Sequence, residues 1–213
     1  MKQLILILTG IFLLLPAANA ATGFYCRHCG DKFSNSTTAQ AGVCMASSSR
    51  KHSVVTCKDN NFICAFCGDK FSTAMYVRVS ACMRSNDRKH SLSGTGGNSG
   101  KYLCGNCGDI FPSPVYVRTG SCASGGNDRK HVLAGEYTGS RKLFCAFCGD
   151  NFSTPVYVRA SICMFSPNKK HRISSCTSEY DLCCRFCCER FSNSVSVRMG
   201  TCMRNPSKKH QLP

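Results

Sequence analysis

Five small metal-stapled modules in tandem, rather than one packed globule, are what this sequence predicts, and three observations carry that reading. Four positions, three Cys and one His, recur in register five times along the chain. The 213 residues include 19 Cys and 18 Gly but no Trp, so much of the apolar fraction is sulfur rather than packing bulk. Each recurrence spans about 30 residues, too few to bury the apolar surface that would offset chain entropy without a staple. The predicted unit is a β-hairpin zinc knuckle, then a short helix (or strand), then a loop. The five units are expected at residues 22–54, 60–92, 100–133, 141–173 and 180–213.

In chain order, the first element lies outside the fold. Lys2 supplies a short positive start, Leu4 to Leu15 is an almost unbroken apolar run, and Ala18-Asn19-Ala20 offers the small residues a signal peptidase reads. About 12 apolar residues are too few to span a bilayer. Residues 1–20 are therefore expected to be a cleaved signal peptide, leaving a mature chain that is secreted or periplasmic and has no transmembrane segment.

The unit itself reads C-x2-C-x3-F-x10-C-x7-H, with eight residues in the last gap of the third copy. Its first Cys falls at Cys26, Cys64, Cys104, Cys145 and Cys184, and its second at Cys29, Cys67, Cys107, Cys148 and Cys187. The third is Cys44, Cys82, Cys122, Cys163 and Cys202, and His52, His90, His131, His171 and His210 close the units. Phe33, Phe71, Phe111, Phe152 and Phe191 stand four residues past the second Cys. Repetition inside one chain acts as an internal alignment that separates held positions from drifting ones.

Disulfides are the ordinary use of Cys in a secreted chain. Three framework Cys cannot all pair within a unit, however, and a disulfide has no use for a His at a fixed offset. Cys3His is a closed tetrahedral zinc site, so these positions are predicted to hold about five zinc per chain. A disulfide scaffold and another metal, such as iron, are the alternatives. Gly30, Gly68, Gly108 and Gly149 follow the second Cys, where the turn calls for positive φ. Four protein ligands leave no coordination position for water, and a nucleophilic Cys/His pair would occur once rather than five times. No catalytic residue is expected, and the chain is not read as an enzyme.

The piece C-x2-C-x3-F resembles the β-hairpin half of a C2H2 zinc finger. The whole unit resembles the short Cys-x2-Cys-Gly zinc-ribbon-like repeats found in tandem in secreted bacterial proteins. The likeness covers nearly all of the mature chain and implies metal binding. Two departures separate the unit from a C2H2 finger: the third ligand is Cys, and the last two ligands are seven or eight residues apart. DNA reading by a finger helix is not implied.

Within each unit, a pair such as Phe24-Tyr25, Phe62-Ile63, Tyr102-Leu103 or Leu143-Phe144 precedes the knuckle, predicting a two-stranded hairpin with the framework Phe on its second strand. In the middle segment, Ser153-Thr154-Pro155 reads as a helix start, with Val156, Ala160 and Cys163 on one face. The alternating, β-branched Val156-Tyr157-Val158-Arg159 reads equally as a strand. Val54, Leu92, Leu133, Ile173 and Leu212, two residues past each His, predict a returning strand that closes the unit. The Gly/Ser-rich Ser91 to Gly100 predicts a flexible linker, and the array is expected to be beads on a string.

Four Cys lie outside the framework. Cys183 and Cys188 flank the fifth knuckle on opposite strands, a placement suited to a disulfide, while Cys57 and Cys176 sit seven and eight residues ahead of their knuckles. Unit one has Thr37-Thr38-Ala39-Gln40 in the middle segment, and unit five replaces Gly-Asp with Cys188-Glu189.

The formal net charge is +16. Lys2 departs with the signal and each Cys3His zinc centre carries one net negative charge, which leaves an excess of about +10. Basic residues recur in register: Lys51, Lys89, Lys130, Lys170 and Lys209 before the His; Arg50, Arg88, Arg129, Lys169 and Lys208 one earlier; and Arg78, Arg118, Arg159 and Arg198 in the middle segment. Such a stripe suits an anionic polymer, meaning nucleic acid, a phosphorylated glycan or an envelope surface. Balancing the thiolates is its other use. The expected function is non-enzymatic binding of that polymer; the alternative is a protein–protein or envelope structural array.

Overall fold

In the computed structural model, residues 22–35, 38–94, 99–125, 128–139, 141–176, 178 and 182–213 are described. The expected signal peptide, residues 1–20, and residues 95–98 of the expected flexible linker lie outside them.

The five units share one plan. In unit 1, β1 (Thr22–Cys26) pairs antiparallel with β2 (Lys32–Phe33) on one edge and with β3 (Val54–Lys58) on the other. Unit 2 has β4 (Phe62–Ile63) and β5 (Lys70–Phe71). Unit 3 has β6 (Tyr102–Cys104), β7 (Ile110–Phe111) and β8 (Leu133–Glu136) in the same order as unit 1. Unit 4 has β9 (Leu143–Phe144) and β10 (Asn151–Phe152), and in unit 5 the hairpin is a single bridge between Cys183 and Arg190. The register is common: Phe24, Phe62, Tyr102 and Leu143 each face the framework Phe of their unit. The knuckle closes with two backbone bonds, as in unit 1, where Gly30 N–H donates to the Cys26 carbonyl and Cys26 N–H to the Asp31 carbonyl, both at 2.9 Å.

The middle segment is helical. Ala74–Arg78, Pro114–Arg118 and Ser194–Arg198 are 3-10 turns, and α1 (Tyr157–Ala160) is one α turn. The inward face differs from the α-helical expectation: Pro155 and Val158 are buried, while Val156 is 62% exposed. A 3-10 turn has three residues per turn, so side chains at i and i+3 share a face. That spacing buries Ala74 with Val77 and Pro114 with Val117.

The returning segment forms where expected. Val54 pairs with Cys26, Leu133 with Cys104, and single bridges join Leu92 to Cys64 and Ile173 to Cys145. All five apolar residues at this position are buried.

The units are not beads on a string. The residue after the first Cys accepts a hydrogen bond from the returning residue of the next unit: Leu92 N–H to Arg27 O, Leu133 to Ala65, Ile173 to Gly105 and Leu212 to Ala146, at 2.7–2.8 Å. Val54 N–H of unit 1 then donates to Arg185 O of unit 5 at 3.3 Å, so the series closes into a five-membered ring. The N–H groups of those same acceptor residues bond within their own units, to the carbonyls of Ser53, Ser91, Val132, Arg172 and Gln211, which completes a backbone belt around the axis.

Apolar packing follows the belt, because each unit is too small for a core of its own. Tyr25, Val55, Phe62, Val77 and Leu92 join units 1 and 2, and Ile63, Tyr102, Val117 and Leu133 join units 2 and 3. Leu103, Leu143, Val158 and Ile173 join units 3 and 4, and Phe144, Leu182, Phe191, Val197 and Leu212 join units 4 and 5. The closing joint has only Ala39, Val54 and Cys188 buried, with Phe24 and Phe33 against them.

The knuckle glycines matter at these joints. A Cβ on Gly30, Gly68 or Gly149 would sit 2.0 Å from the carbonyl oxygen of Ala74, Pro114 or Ser194 in the next unit, and on Gly108 2.4 Å from that of Pro155. Their φ values, +73 to +77°, already favour Gly. Unit 5 has Cys188 here at φ +58°, and it packs on Ala39, the smaller counterpart of Val77, Val117, Val158 and Val197.

Candidate metal centres

The knuckle, the C-terminal side of the helical turn and the start of the returning strand bring each predicted ligand set together. Five groups of three Cys and one His form, Cys26/Cys29/Cys44/His52 through Cys184/Cys187/Cys202/His210, with all ligand atoms of a group within 4.8 Å of one another. Nineteen of the twenty ligands are buried, Cys187 being half-buried. A tetrahedron with bonds of about 2.3 Å to sulfur and 2.0–2.1 Å to nitrogen has S···S edges of about 3.8 Å and S···N edges of about 3.6 Å. The observed Sγ···Sγ separations of the first and third Cys are 3.7, 3.9, 3.8 and 3.7 Å in units 1, 2, 4 and 5. From the second Cys Sγ to His Nδ1 the distances are 3.5–3.6 Å in all five units. A disulfide would bring two sulfurs to about 2.0 Å. The five groups are each able to hold a metal ion, and a Cys3His donor set with this spacing fits about five zinc per chain.

Charge supports the same conclusion. Hydrogen bonding from the Cys29 thiol draws Cys26 down to about 4, and Cys29 is pushed up in exchange. Cys148 does the same to Cys145, lowered to about 5, and Cys187 to Cys184, lowered to about 4. Three thiols this close compete for one negative charge; a divalent cation at their centre allows all three to be thiolates.

The framework Phe has a specific task. In every unit it stands edge-on to the ligand His, with ring centroids 4.9–5.1 Å apart and planes 74–84° from parallel. This contact fixes the imidazole plane that presents Nδ1 to the sulfurs. The x7 loop is fixed by the backbone: Cys44 N–H donates to Arg50 O at 2.9 Å, and Cys82, Cys122, Cys163 and Cys202 repeat the bond to Arg88, Arg129, Lys169 and Lys208. Those five basic residues all have positive φ, between 47 and 57°, and all are exposed.

The other basic sets lie across the joints. Arg78 pairs with Asp31 of the preceding unit at 3.0 Å, Arg118 with Asp69, Arg159 with Asp109 at 3.2 Å and Arg198 with Asp150 at 3.0 Å. Arg118 Nε also donates to the Cys67 carbonyl at 2.6 Å, and at the closing joint Gln40 donates its amide to the equivalent Cys187 carbonyl. Lys51, Lys89 and Lys170 donate to carbonyls of Arg204, Ala46 and Ala123 at 3.1–3.2 Å. Lys130 donates to Asn86 Oδ1 at 3.0 Å, and Lys209 lies over the Phe165 ring. The Asp partners were visible as a register two residues past the second Cys, but nothing in the sequence pairs them with Arg of the following unit.

Three arginines outside every repeated set meet at the ring axis: Arg27, Arg172 and Arg185. Burial and the Arg172 charge lower Arg27 to about 10, and Arg185 is lowered by burial and by both neighbours. His28, the one His outside the repeats, is lowered to about 4 by burial and the Arg27 charge, and is neutral at physiological pH.

The predicted Cys183–Cys188 bridge is not formed; both are free thiols. Cys188 packs on Ala39 and Val54 across the closing joint. Cys57 is a free, buried thiol pushed up to about 12 by burial, and Cys176 packs beside Leu182 and Phe144.

No family model, curated protein or solved structure matches the chain. The tandem metal-binding repeats rest on the chain's own repetition and on the geometry of five clusters.

Proposed function

We propose that the chain is a secreted, non-enzymatic zinc-binding ring that takes an anionic polymer on five repeated basic loops. One observation carries this reading. Left-handed backbone favours Gly or Asn, yet the position two residues before each ligand His is filled five times by Arg or Lys: Arg50, Arg88, Arg129, Lys169 and Lys208. A residue held against its backbone preference in every unit serves something other than the turn. Among the described residues none of the five is in an ion pair, in contrast to the arginines of the joints. Each site has four protein ligands, which leaves the metal a structural part. The amino-terminal apolar run supports export, and no described helix is long and apolar enough to cross a membrane.

A salt series tests this with a labelled single-stranded oligonucleotide and with inorganic polyphosphate as probes. If each loop neutralises one phosphate, log K against log salt should slope by about −0.7 per loop, about −3.5 for all five. The double variant Arg88→Asn, Arg129→Asn suits the backbone and should reduce the slope by about 1.4. Binding that is absent, or indifferent to salt, would refute the reading. It would favour a protein partner instead, for which Met45, Met83, Met164 and Met203, 73–80% exposed beside the third Cys, offer apolar contact.

A further inference from the structure

We propose that the ring axis is a second, separate site that holds one multiply charged phosphate-type oxyanion between Arg27, Arg172 and Arg185. Two cavities meet at the axis, of about 470 and about 20 Å³, and these three arginines line both. The larger lies in the size range of small-molecule sites.

The internal repeat shows that the fold does not need arginine there. Arg27 and Arg185 occupy the position after the first Cys, where the other units have Ala65, Gly105 and Ala146. Arg172 follows the ligand His, where the others have Ser53, Ser91, Val132 and Gln211. The backbone belt forms in all five units with or without arginine. Proximity to zinc thiolates does not require arginine either, since three first cysteines and four histidines are followed by uncharged residues.

Three like charges brought together, Arg27 buried and Arg172 and Arg185 half-buried, oppose folding unless something answers them. Among the described residues, the two carboxylates that line the larger cavity form no ion pair with these three arginines and accept from neutral donors instead. Asp87 accepts from Ser85 and, at 3.1 Å, from Lys89 N–H, and Asp128 accepts from Asn86 at 2.6 Å. Arg185 Nε donates to Ser53 Oγ at 3.2 Å. Arg27 is only 8% exposed, and its buried Nε has no hydrogen-bond partner among the described residues. A planar guanidinium matches two phosphate oxygens at once, and three of them around one cavity suit an anion of more than one charge. Arg84 and Lys130 also line the larger cavity and add positive charge to it.

The test is calorimetric titration of the zinc-loaded full chain with inorganic phosphate, inorganic pyrophosphate and a nucleoside diphosphate. Saturable binding of one pyrophosphate or one nucleoside diphosphate per chain is expected, and the tighter of the two shows whether the oxyanion is free or carried on a small molecule. Arg27→Ala and Arg172→Gln reproduce residues the chain uses at the same register, so both should keep five zinc and weaken binding at least tenfold. In anion-free buffer Arg27→Ala should melt no lower than the parent, because it removes a repulsion. The loop variant Arg88→Asn, Arg129→Asn should bind pyrophosphate as the parent does while losing oligonucleotide affinity, which separates this site from the loops. Absence of a one-per-chain site in the parent, or unchanged affinity in Arg172→Gln, overturns the proposal. Should Arg27→Ala fail to fold, Arg172→Gln decides alone.

Discussion

Gly68→Ala distinguishes a closed ring from independent modules. Its φ is +73°, and a Cβ there would lie 2.0 Å from the Pro114 carbonyl oxygen, 2.4 Å from its carbon and 2.8 Å from Val115 N, all backbone of the next unit. Two effects must be separated. Left-handed backbone costs Ala about 1–2 kcal/mol, partly offset by about 0.4–1 kcal/mol from a stiffer unfolded chain. The clash is additional, and since backbone cannot swing aside as a side chain can, the joint must shift. Overpacking costs about 1–3 kcal/mol, and a shift also strains the Arg118 contacts to Asp69 and the Cys67 carbonyl. Gly139→Ala is the matched control, with φ +84° and nothing within 4 Å of the added carbon. Guanidinium unfolding at fixed free zinc, followed by circular dichroism, should place Gly68→Ala about 2 kcal/mol below Gly139→Ala. Zinc content should stay at five in both, since the clash lies between units. In a string of separate modules the carbon would meet nothing. Equal destabilisation by the two variants would therefore refute the ring.

Two further outcomes follow from the same geometry. Zinc is held only by deprotonated thiols and neutral imidazole, so protons compete with it for every framework Cys and His. Elemental analysis after dialysis should show five zinc retained at neutral pH and zinc lost on acidification, and full retention at pH 3 would contradict the thiolate assignment. At the closing joint the Val54 amide should exchange with solvent at least tenfold faster than those of Leu92, Leu133, Ile173 and Leu212, because its bond is 3.3 Å against 2.7–2.8 Å and its apolar cluster is the smallest. Equal protection across the five amides in native-state hydrogen exchange would show the closing joint to be as firm as the rest.

What the sequence made legible was whatever repeats within a unit. The ligand positions, the hairpin before each knuckle and the returning apolar residue all lie within about 35 residues of one another, so spacing alone exposes them. The helical turn was half legible: Pro155 marks its start, but only the local backbone bond from Val158 N–H to Pro155 O, which puts those two residues on one face, decides that Val158 rather than Val156 turns inward. The ring was not legible, because its bonds run between units and through backbone atoms. Ile173 N–H reaches Gly105 O across 68 residues, and no side-chain pattern encodes that. The Arg159–Asp109 ion pair was missed for a related reason: each partner is in register within its own unit, and only the joint shows that they face each other.

The departures in units one and five, unrelated when read along the chain, are two sides of one surface. Unit five has Cys188 where other knuckles have Gly, and unit one has Ala39 where others have Val, so volume added on one side is removed on the other. Unit five has Glu189 in the Asp position and unit one has Gln40 in the Arg position, so the ion pair of the other joints gives way to the Gln40 amide on the Cys187 carbonyl. This joint alone connects units that are not neighbours in sequence. Head-to-tail interfaces of identical kind close into rings or run on into filaments. Here closure is favoured because both halves lie on one chain, which gives them a high effective concentration for each other. A joint that depends on closure within the molecule does not need the full ion pair and apolar cluster of the other four. Such a joint is also less able to capture unit one of a second molecule. The weakness of the fifth joint is thus consistent with a ring that closes on itself and stays monomeric.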